Sequence, residues 1–226
     1  MVYIVTAVHN RYKITKKFVE LLTKQTYKDF TLVLVDDGCT DGTAEMVLSY
    51  LPKSIILKGN GNLFWGGALH LAYKWLKSNA VDGSFIWIAN DDTEFDDDYL
   101  QKALAHFTQK DSDFLLSGCG YATNVGKYYD LVHMCNLKTG ISEKNDCLDF
   151  KGNIATTRSL FFTIETMKKI GGFHPVLLPH YGSDYEWTLR AYKKGIETRS
   201  YSDVHYNYVT AEGEKKNYKK NLKTFL

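Results

Sequence analysis

The chain has 226 residues, of which 44% are hydrophobic and 24% are charged, a balance that is ordinary for a soluble globular domain. Its formal charge of +2 gives no case for nucleic acid as a partner. The four cysteines show no CxxC spacing, so neither a zinc site nor a redox motif is indicated and a reduced, cytoplasmic setting is expected. No signal-peptide pattern opens the chain, and no apolar run reaches the ~20 residues that span a bilayer.

The first half of the chain alternates between short apolar runs rich in β-branched residues and segments with helical spacing. Strands are predicted over Tyr3–Val8, Thr31–Val35, Ser54–Leu57, Phe85–Ala89 and Phe114–Ser117. Helices are predicted over Ile14–Gln25, Thr43–Leu51, Trp65–Leu76 and Tyr99–Phe107. This β-α-β-α rhythm predicts an α/β fold, with a parallel sheet covered by helices on both faces.

The second half is less regular. Tyr121–Phe150 is interrupted by Gly, Asn and Asp and is interpreted as an antiparallel excursion or a loop. A strand and then a helix are predicted within Ser159–Ile170, a helix over Ser183–Lys194, and one or two short strands within Thr198–Tyr208. Because neither a repeat nor a Pro- or Ser-rich linker interrupts the chain, residues 1–226 are predicted to form a single domain.

Three polar clusters directly follow predicted strands, at His9–Arg11, Asp36–Thr43 and Asn90–Glu94. Ligands of open parallel sheets bind beyond the carboxyl ends of the strands, so the three clusters are expected to share one rim. Carboxylates crowded at that rim would hold a diphosphate through Mg²⁺ or Mn²⁺, because these ions prefer oxygen ligands. Taken singly, the two acidic clusters are also explained as a solvated turn and as a turn with a helix cap.

Several short motifs follow one another along the chain. They are "TAVHNR" (Thr6–Arg11), "VDDGCTDGT" (Val35–Thr43), "GNLFWGGALHLAY" (Gly61–Tyr73), "NDD" (Asn90–Asp92), "GGF" (Gly171–Phe173) and "GSDYEWTLRAYKKG" (Gly182–Gly195). Together they resemble the motifs of the family-2 glycosyltransferases with the GT-A fold, from about Val2 to about His205. The resemblance implies a GT-A-type α/β fold, with a mostly parallel (mixed) central sheet flanked by helices. It also implies a Rossmann-like half, residues 1–120, that binds a nucleotide sugar, and an acceptor-binding and catalytic half, residues 121–226.

The resemblance implies that a set of residues in the first half contacts the donor nucleotide. The set consists of Thr6, Ala7, Asn10, Asp36, Asp37, Trp65, Gly66, Gly67, Asn90 and Asp91. Asp37 would contact the base and the ribose, although turn chemistry alone also explains an acid there. Asp91 would face the ribose or support its loop. Trp65 and the two glycines after it would shape the donor pocket, the glycines by allowing close backbone approach to the nucleotide sugar; core packing of Trp65 is the equal alternative.

The same resemblance implies a divalent ion, Mg²⁺ or Mn²⁺. Asp92 matches the last acid of the family's Asp-x-Asp motif, the one that binds the metal. Asn90 stands where many members have Asp, and it offers an oxygen ligand without a charge. His205 resembles a late histidine that ligates the metal in some members, and a packed or surface histidine is the alternative.

Asp184 is the residue that the resemblance assigns as catalytic base. The family's motif is usually Glu-Asp, and here it is Ser183-Asp184. A structural alternative is a capping box, with Ser183 as N-cap and Glu186 three residues later. Arg190, on the same predicted helix, is expected to pair with a nearby acid or to face solvent.

The resemblance therefore predicts an inverting, metal-dependent glycosyltransferase of bacterial polysaccharide biosynthesis. Its donor would be a UDP- or dTDP-sugar and its acceptor a hydroxyl of a glycan or a lipid-linked saccharide at the cytoplasmic face of the membrane. The lysine-rich stretch Lys215–Lys223 is expected to be solvated or to contact anionic lipid at the membrane periphery.

Two other functions are left open by the sequence. A non-catalytic, GT-A-like module that binds a sugar nucleotide or a glycan is kept open by Asn90 and Ser183, which replace acids of the family pattern. A sugar nucleotidyltransferase would share the sheet and the acids, but it usually has a glycine-rich loop after the first strand, and "TAVHNRYK" has no glycine.

Overall fold

The structure is a computed structural model that describes residues 1–108, 111–140, 142, 143 and 145–210. The strands are β1 (Val2–Val8), β2 (Phe30–Asp36), β3 (Ile55–Lys58), β4 (Phe85–Ala89), β5 (Leu115–Ser117), β6 (Cys119–Ala122), β7 (Lys127–Asp130), β8 (Met134–Cys135), β9 (Ser142–Glu143), β10 (Phe150–Gly152), β11 (Ser159–Thr163), β12 (Thr198–Ser200) and β13 (His205–Tyr208). The helices are α1 (Tyr12–Lys24), α2 (Thr43–Tyr50), α3 (Phe64–Asn79), α4 (Tyr99–Ala105), α5 (Ile164–Ile170) and α6 (Ser183–Lys193). The lysine-rich stretch Lys215–Lys223 lies outside the described residues.

The central sheet has eight strands in the order β10-β12-β5-β11-β4-β1-β2-β3. Strands β1 to β4 are parallel to one another, and β5 is parallel to β12. β11 runs antiparallel to both β4 and β5, and β10 runs antiparallel to β12. The mixed, mostly parallel α/β sheet predicted from the sequence is thus confirmed, and both halves of the chain contribute strands to it.

Alternate side chains of the central strands feed two separate apolar cores, as the two-residue period of a strand requires. On one face, Val5 and Ile88 pack with helices α3, α5 and α6. On the other face, Ile4 and Trp87 pack with helices α1, α2 and α4 and with aromatic residues of β13. Because both faces are covered, β1 and β4 are buried almost throughout, which explains their continuous apolar sequences.

The order of the strands creates the crevice in which a ligand would bind. From β1 the chain proceeds outward to β2 and β3, and then returns to place β4 on the other side of β1. Ligands of open α/β sheets bind at such a reversal, beyond the carboxyl ends of the strands. The antiparallel strand β11 begins at this same edge, because Ser159 pairs with Ala89, the last residue of β4.

Strands β6 to β9 form an antiparallel excursion, which is one of the two interpretations that the sequence allowed for Tyr121–Phe150. β6 pairs with β7 in antiparallel fashion and with β13 in parallel, giving a separate sheet in the order β13-β6-β7. β8 and β9 form a short hairpin beside it. Among the described residues, no helix combines the length and the apolar character needed to cross a membrane.

Candidate active site

The three polar clusters meet at the carboxyl ends of β1, β2 and β4. The backbone N–H of Asp37 donates to the carbonyl oxygen of Val8 at 2.9 Å, and the His9 ring donates from Nδ1 to the carbonyl oxygen of Asp37 at 2.6 Å. These two bonds join the turns after β1 and β2. Arg11 joins the turns after β1 and β4 through its bonds with Asp91. The structure therefore brings the three clusters to one rim.

Asp36, at the end of β2, ties its strand to the neighbouring elements. Its Oδ1 accepts the backbone N–H of Cys39 at 2.7 Å, and its Oδ2 accepts from the Lys58 ammonium group at 2.6 Å. Burial of Asp36, which is 2% exposed, opposes its ionisation. The bonds from Lys58 and Cys39 outweigh that effect and hold the pKa of Asp36 below its ordinary value. Asp36 is thus an ionised, internally bonded residue behind the rim.

Asp37 holds the loop between β3 and α3. Its Oδ1 accepts the backbone N–H of Gly61 at 2.8 Å, and its Oδ2 accepts that of Leu63 at 2.9 Å. A Cβ atom on Gly59 would lie 2.5 Å from Oδ1, so glycine is required for the loop to pack this closely on the carboxylate. Asp37 therefore shapes the rim through this loop, and its contact with a base stays a prediction.

The three residues on or after β1 that were predicted to contact the donor nucleotide differ in exposure. Thr6 is wholly buried within the strand, whereas solvent reaches Ala7 and Asn10. Asn10 adopts a φ of 52°, a left-handed conformation that Asn tolerates better than most residues. Its Oδ1 accepts the backbone N–H of Thr40 at 2.8 Å. Asn10 and Ala7 are thus accessible at the rim, and Thr6 lies beneath it.

Asp91 forms a buried ion pair at the centre of the rim. It is 5% exposed, and Nε of Arg11 donates to both of its oxygens at 3.0 Å. The Thr15 hydroxyl donates to Oδ2 at 2.8 Å. The backbone N–H of the preceding residue, Asn90, donates to the carbonyl oxygen of Arg158. Asp91 is therefore placed to support its loop, which is one of the two roles that the resemblance implied.

Asp92, the predicted metal ligand, lies at the exposed side of the same turn. Its side chain is 34% exposed. Nη1 of Arg158 donates to Oδ1 at 2.7 Å, and Nη2 of Arg11 lies 3.7 Å from Oδ2. One carboxylate oxygen of Asp92 is therefore held firmly, and the other is left with only a long ion pair.

Arg158 extends this network into the second half of the chain. Its Nε lies 3.0 Å from Oδ2 of Asp130, the last residue of β7, and the Tyr206 hydroxyl donates to the same oxygen at 3.1 Å. The guanidinium carbon lies 4.5 Å from the centre of the Tyr208 ring. Burial lowers the pKa of Arg158, but the carboxylates of Asp130 and Asp92 outweigh it and raise that pKa. Arg158 is thus a permanently charged bridge between the two acids.

The first turn of α3 reaches across the rim to the second half. The Trp65 indole donates to the Thr157 hydroxyl at 2.8 Å, and the backbone N–H of Gly66 donates to the carbonyl oxygen of Pro179 at 2.8 Å. A Cβ atom on Gly66 would overlap the carbonyl oxygen of the residue before Pro179, whereas Gly67 has only looser contacts. The close backbone approach at Gly66 is therefore to the loop before α6.

The sequence-based capping box at the start of α6 is wrong. The N-cap is Gly182, whose φ of 84° starts the helix one residue earlier than a Ser183 cap would. The Ser183 hydroxyl donates instead to the carbonyl oxygen of His180 at 2.9 Å. Glu186 pairs with Arg190 at 2.7 Å, which is the nearby acid expected for that arginine. The side chains of Ser183 and Glu186 are therefore engaged elsewhere and do not cap the helix.

Asp184 lies in the first turn of α6 and is partly exposed. Its Oδ1 accepts the backbone N–H of Tyr185 at 3.0 Å, and the backbone of Thr157 interacts with the same carboxylate and favours its ionised form. Burial outweighs these bonds, and with the negative charge of Asp130 it raises the pKa of Asp184 to about 6. A carboxyl group with such a pKa accepts a proton more readily than an ordinary aspartate near neutral pH.

Asp92 and Asp184 thus meet at two consecutive residues. The backbone of Thr157 interacts with the Asp184 carboxylate, and its hydroxyl accepts a hydrogen bond from the Trp65 indole. The next residue, Arg158, donates a hydrogen bond to Asp92. Two neighbouring residues of the chain thus contact the predicted metal ligand and the predicted base. This arrangement could hold a cation at Asp92 while Asp184 accepts a proton nearby.

A family model described as "Glycosyl transferase family 2" matches residues 3–170, which is more than half of the chain. The chain belongs to glycosyl transferase family 2. The matched region contains every site residue described above except those of α6, of the loop before α6, and of the segment from Ser202 through β13. The family resemblance predicted from the sequence motifs is thereby confirmed.

Curated relatives of this family-2 chain are glycosyltransferases by name. Glycosyltransferase GlyG of Streptococcus pneumoniae is 24% identical over 130 residues, which is 57% of this chain and 42% of GlyG. An uncharacterised glycosyltransferase of Rickettsia prowazekii is 28% identical over 122 residues, which is 54% of this chain and 36% of that protein. The chain therefore spans less than half the length of these relatives.

Solved structures show that the family-2 chain has the predicted GT-A-type fold. The mannosyltransferase PcManGT from Pyrobaculum calidifontis, in complex with GDP-Man and Mn²⁺, superposes with a TM-score of 0.68 at 15% identity, covering 94% of this chain and 58% of PcManGT. S. aureus TarS gives a TM-score of 0.64 at 18% identity, covering 92% of this chain and 36% of TarS. At these identities the likeness concerns the fold alone.

Within the family-2 site, Oδ2 of Asp92 is the oxygen that could contact a divalent ion, because its ion pair with Arg11 is long, at 3.7 Å. The guanidinium groups of Arg11 and Arg158 face three carboxylates, those of Asp91, Asp92 and Asp130, so the rim keeps a negative charge that would repel a diphosphate. Within the part of the chain that the structure describes, no group of three His, Cys, Asp or Glu residues is arranged to hold a metal ion. An ion at Asp92 would therefore take its other ligands from substrate phosphates and water, as Mg²⁺ usually does.

The structure does not bring His205 to Asp92. Along β13, Tyr206 and Tyr208 turn toward Asp130 and Arg158, so the two-residue period turns His205 to the opposite face. The His205 ring donates from Nδ1 to the carbonyl oxygen of Ser202 at 3.3 Å. Its role as a metal ligand stays a prediction that this placement does not support.

Sequence reasoning missed the two central residues of the family-2 site, Arg158 and Asp130. Neither belongs to a motif, and each lies within an irregular stretch whose position relative to β4 depends on the whole sheet. Arg11 was part of a polar cluster but received no role. A buried arginine facing several acids can be found only after the strands have been placed.

Proposed function

We propose that the chain is an inverting glycosyltransferase that moves a sugar from a nucleoside-diphosphate sugar to a hydroxyl group of a glycan or lipid-linked acceptor. The observation that carries this proposal is the joint placement of Asp92 and Asp184 at Thr157–Arg158. It supports one site where a diphosphate leaving group and an acceptor hydroxyl lie side by side. UDP- or dTDP-sugars are the proposed donors, and bacterial polysaccharide biosynthesis is the proposed process.

Asp184 is the proposed catalytic base. Its carboxylate would take the proton from the acceptor hydroxyl while the acceptor oxygen attacks the anomeric carbon opposite the diphosphate. The backbone N–H of Tyr185, which donates at 3.0 Å, orients that carboxylate, and the backbone of Thr157 favours its charged form. Positioned proton transfer of this kind typically contributes about 10²–10⁴-fold to the rate.

Asp92 is the residue proposed to hold Mg²⁺ or Mn²⁺. When bound, such an ion would supply positive charge to the departing diphosphate. Arg158 would position Asp92 through its 2.7 Å hydrogen bond to Oδ1, which would keep the carboxylate group from rotating. Asp37 would hold the loop that begins α3, so that Trp65 is aimed at Thr157 beside the reacting groups.

The test is Asp184→Asn, assayed by release of nucleoside diphosphate from a panel of nucleotide sugars with Mn²⁺ and candidate acceptors. The variant should still bind the donor yet transfer almost no sugar, and full retained activity would rule out the base. Binding without turnover in the wild type would favour the non-catalytic module, which Asn90 and Ser183 keep open. The cytoplasmic location predicted from cysteine usage stays a proposal, supported by four free cysteines.

A further inference from the structure

A patch of exposed apolar side chains lies next to the proposed base. The loop between α5 and α6 makes a tight turn, closed by a bond from the backbone N–H of Leu178 to the carbonyl oxygen of His174 at 2.8 Å. Val176 and Leu177 stand at its tip and are 92% and 72% exposed. Leu178 itself is buried, so the turn is anchored while its tip points into solvent.

Aromatic residues extend this patch toward the rim. Phe64, the first residue of α3, is 56% exposed, and Tyr181 is 63% exposed. The His180 ring lies between them, with its centre 6.0 Å from that of Phe64 and 4.3 Å from that of Tyr181. Phe64 adopts a φ of 53°, which is unfavourable for a bulky residue, and in that conformation its ring stays exposed beside His180. We call Phe64, Val176, Leu177 and Tyr181 the apolar patch.

The apolar patch is uncharged. Residues 175–183, "PVLLPHYGS", contain no Asp, Glu, Lys or Arg. Burial lowers the pKa of His180, so its ring is neutral at neutral pH. Protein surfaces rarely leave four large apolar side chains exposed together without a use for them.

We propose that the apolar patch inserts into the surface of a lipid bilayer and presents Asp184 to an acceptor held at that surface. This rests on the proposed function only for the role of Asp184, because membrane binding is measured without any reaction. Aliphatic residues at the tip of a turn, with aromatic residues behind them, suit an interface whose inner side is hydrocarbon and whose outer side is wet. The charge-free sequence allows insertion without desolvating an ion.

A bilayer fits the apolar patch better than a protein partner does. The four side chains offer on the order of 500 Å² of surface, less than the roughly 800 Å² per partner of a stable protein interface. Val176 and Leu177 also project from a convex turn, and a protein partner would need a matching cavity, whereas fluid lipid adapts to a protrusion. Tyr181 lies three residues before Asp184, so insertion at the patch would bring the proposed base close to the headgroups.

The experiment is vesicle flotation of the full chain, using phosphatidylcholine vesicles with and without phosphatidylglycerol. The test variant is Val176→Asp/Leu177→Asp, and the matched control is Val81→Asp. Val81 is 60% exposed and precedes β4, at the edge of the sheet opposite the rim. Thermal denaturation of each variant checks folding, which these exposed positions should leave unchanged.

The wild type and Val81→Asp should float with both vesicle types, also in ~1 M NaCl, where the Debye length is only ~3 Å. Val176→Asp/Leu177→Asp should lose at least about fivefold in its partition coefficient onto vesicles, which an approximately 1 kcal/mol loss already produces. Flotation that requires phosphatidylglycerol and disappears in salt would overturn the proposal in favour of lysine-rich contacts. Equal flotation of the double variant, no flotation of the wild type, or a patch-dependent dimer in light scattering would overturn it as well.

Donor binding separates failure of this inference from failure of the proposed function. Val176→Asp/Leu177→Asp should raise its melting temperature with a nucleotide sugar and Mn²⁺ as much as the wild type does, because none of its changes touches the rim. Loss of flotation with retained donor binding supports the patch. If the wild type binds the donor but no vesicle, the proposed membrane role of the apolar patch is overturned and the proposed transferase function stands.

Discussion

Arg158 donates a hydrogen bond to Asp92 at 2.7 Å, and this contact joins the donor half of the chain to its second half. The two residues are 66 positions apart in the chain, and the sequence analysis assigned a role only to Asp92. The same guanidinium group bonds Asp130, so three charges share one small volume. The contact explains how a rim with so many acids remains folded before any ligand arrives, because the arginine offsets part of their repulsion.

Arg158→Gln should lower the free energy of unfolding by about 3 kcal/mol, because it leaves Asp130 buried without its cation. Adding Asp130→Asn should recover at least half of that loss, since the uncompensated charge is then removed. Urea denaturation at neutral pH measures both. Lys168→Gln, which breaks the exposed pair with Asp82, is the control and should change nothing measurable. If Arg158→Gln lowers the free energy of unfolding no more than Lys168→Gln does, the ion pair of Arg158 with Asp130 does not stabilise the fold.

The rate of sugar transfer should rise with pH through about 6. Burial raises the pKa of Asp184 to about 6, and a general base works only when it is deprotonated. Below that pH the carboxyl group holds its proton and the rate should fall about tenfold per pH unit. The measurement is kcat/KM for nucleoside diphosphate release between pH 5 and pH 8, in buffers of constant ionic strength. A flat profile over that range would contradict the role of Asp184.

Asp184→Asn should make the protein more stable while it removes activity. The folded-state pKa of Asp184 is above its ordinary value, so the ionised form is disfavoured by folding at neutral pH. The wild type should therefore lose stability as the pH rises from about 4 to about 6. Allowing for partial exposure, the variant should gain about 1 kcal/mol at pH 7 and almost nothing at pH 4. Denaturant titrations at the two pH values test this, and a variant less stable at pH 7 refutes it.

Gly66→Ala and Gly67→Ala should differ sharply although they are neighbours in α3. A Cβ on Gly66 would overlap a backbone carbonyl oxygen of the loop that leads into α6, and backbone cannot yield easily. We expect about 2 kcal/mol of destabilisation and reduced turnover. At Gly67 the nearest atom, Cβ of Leu63, is 3.3 Å away, so the helix-forming gain of alanine should leave the variant neutral or about 0.5 kcal/mol more stable. Melting curves and turnover of the pair decide the matter; equal effects would show that the loop contact is unimportant.

Much of the fold was predictable because the first half follows local rules. Strands β1 to β4 and the helices between them were predicted within three residues of their bounds, since β-branched runs and helical spacing agree there with the tertiary structure. The order of strands in the second half was not, because short strands such as β8 and β10 are defined by their partners and not by their own sequence.

The site was predictable where motifs carry it and not elsewhere. Asp37, Asp92 and Asp184 stand at motif positions, and they lie at the rim or beside it. The capping box at Ser183 failed because Gly182 takes the left-handed conformation that starts α6 earlier. His205 was grouped with Asp92 without knowing which face of β13 meets the rim, and that choice depends on Tyr206 reaching Asp130.

The most direct test of the account is isothermal titration of nucleoside-diphosphate sugars into the wild type, Asp92→Asn and Asp184→Asn, each with and without Mn²⁺. We expect that the wild type binds a donor more tightly with Mn²⁺, that Asp92→Asn loses this metal effect, and that Asp184→Asn binds as the wild type does. No binding of any nucleotide sugar by the wild type, or equal loss of the metal effect in both variants, would contradict a shared site in which Asp92 serves the donor and Asp184 the acceptor.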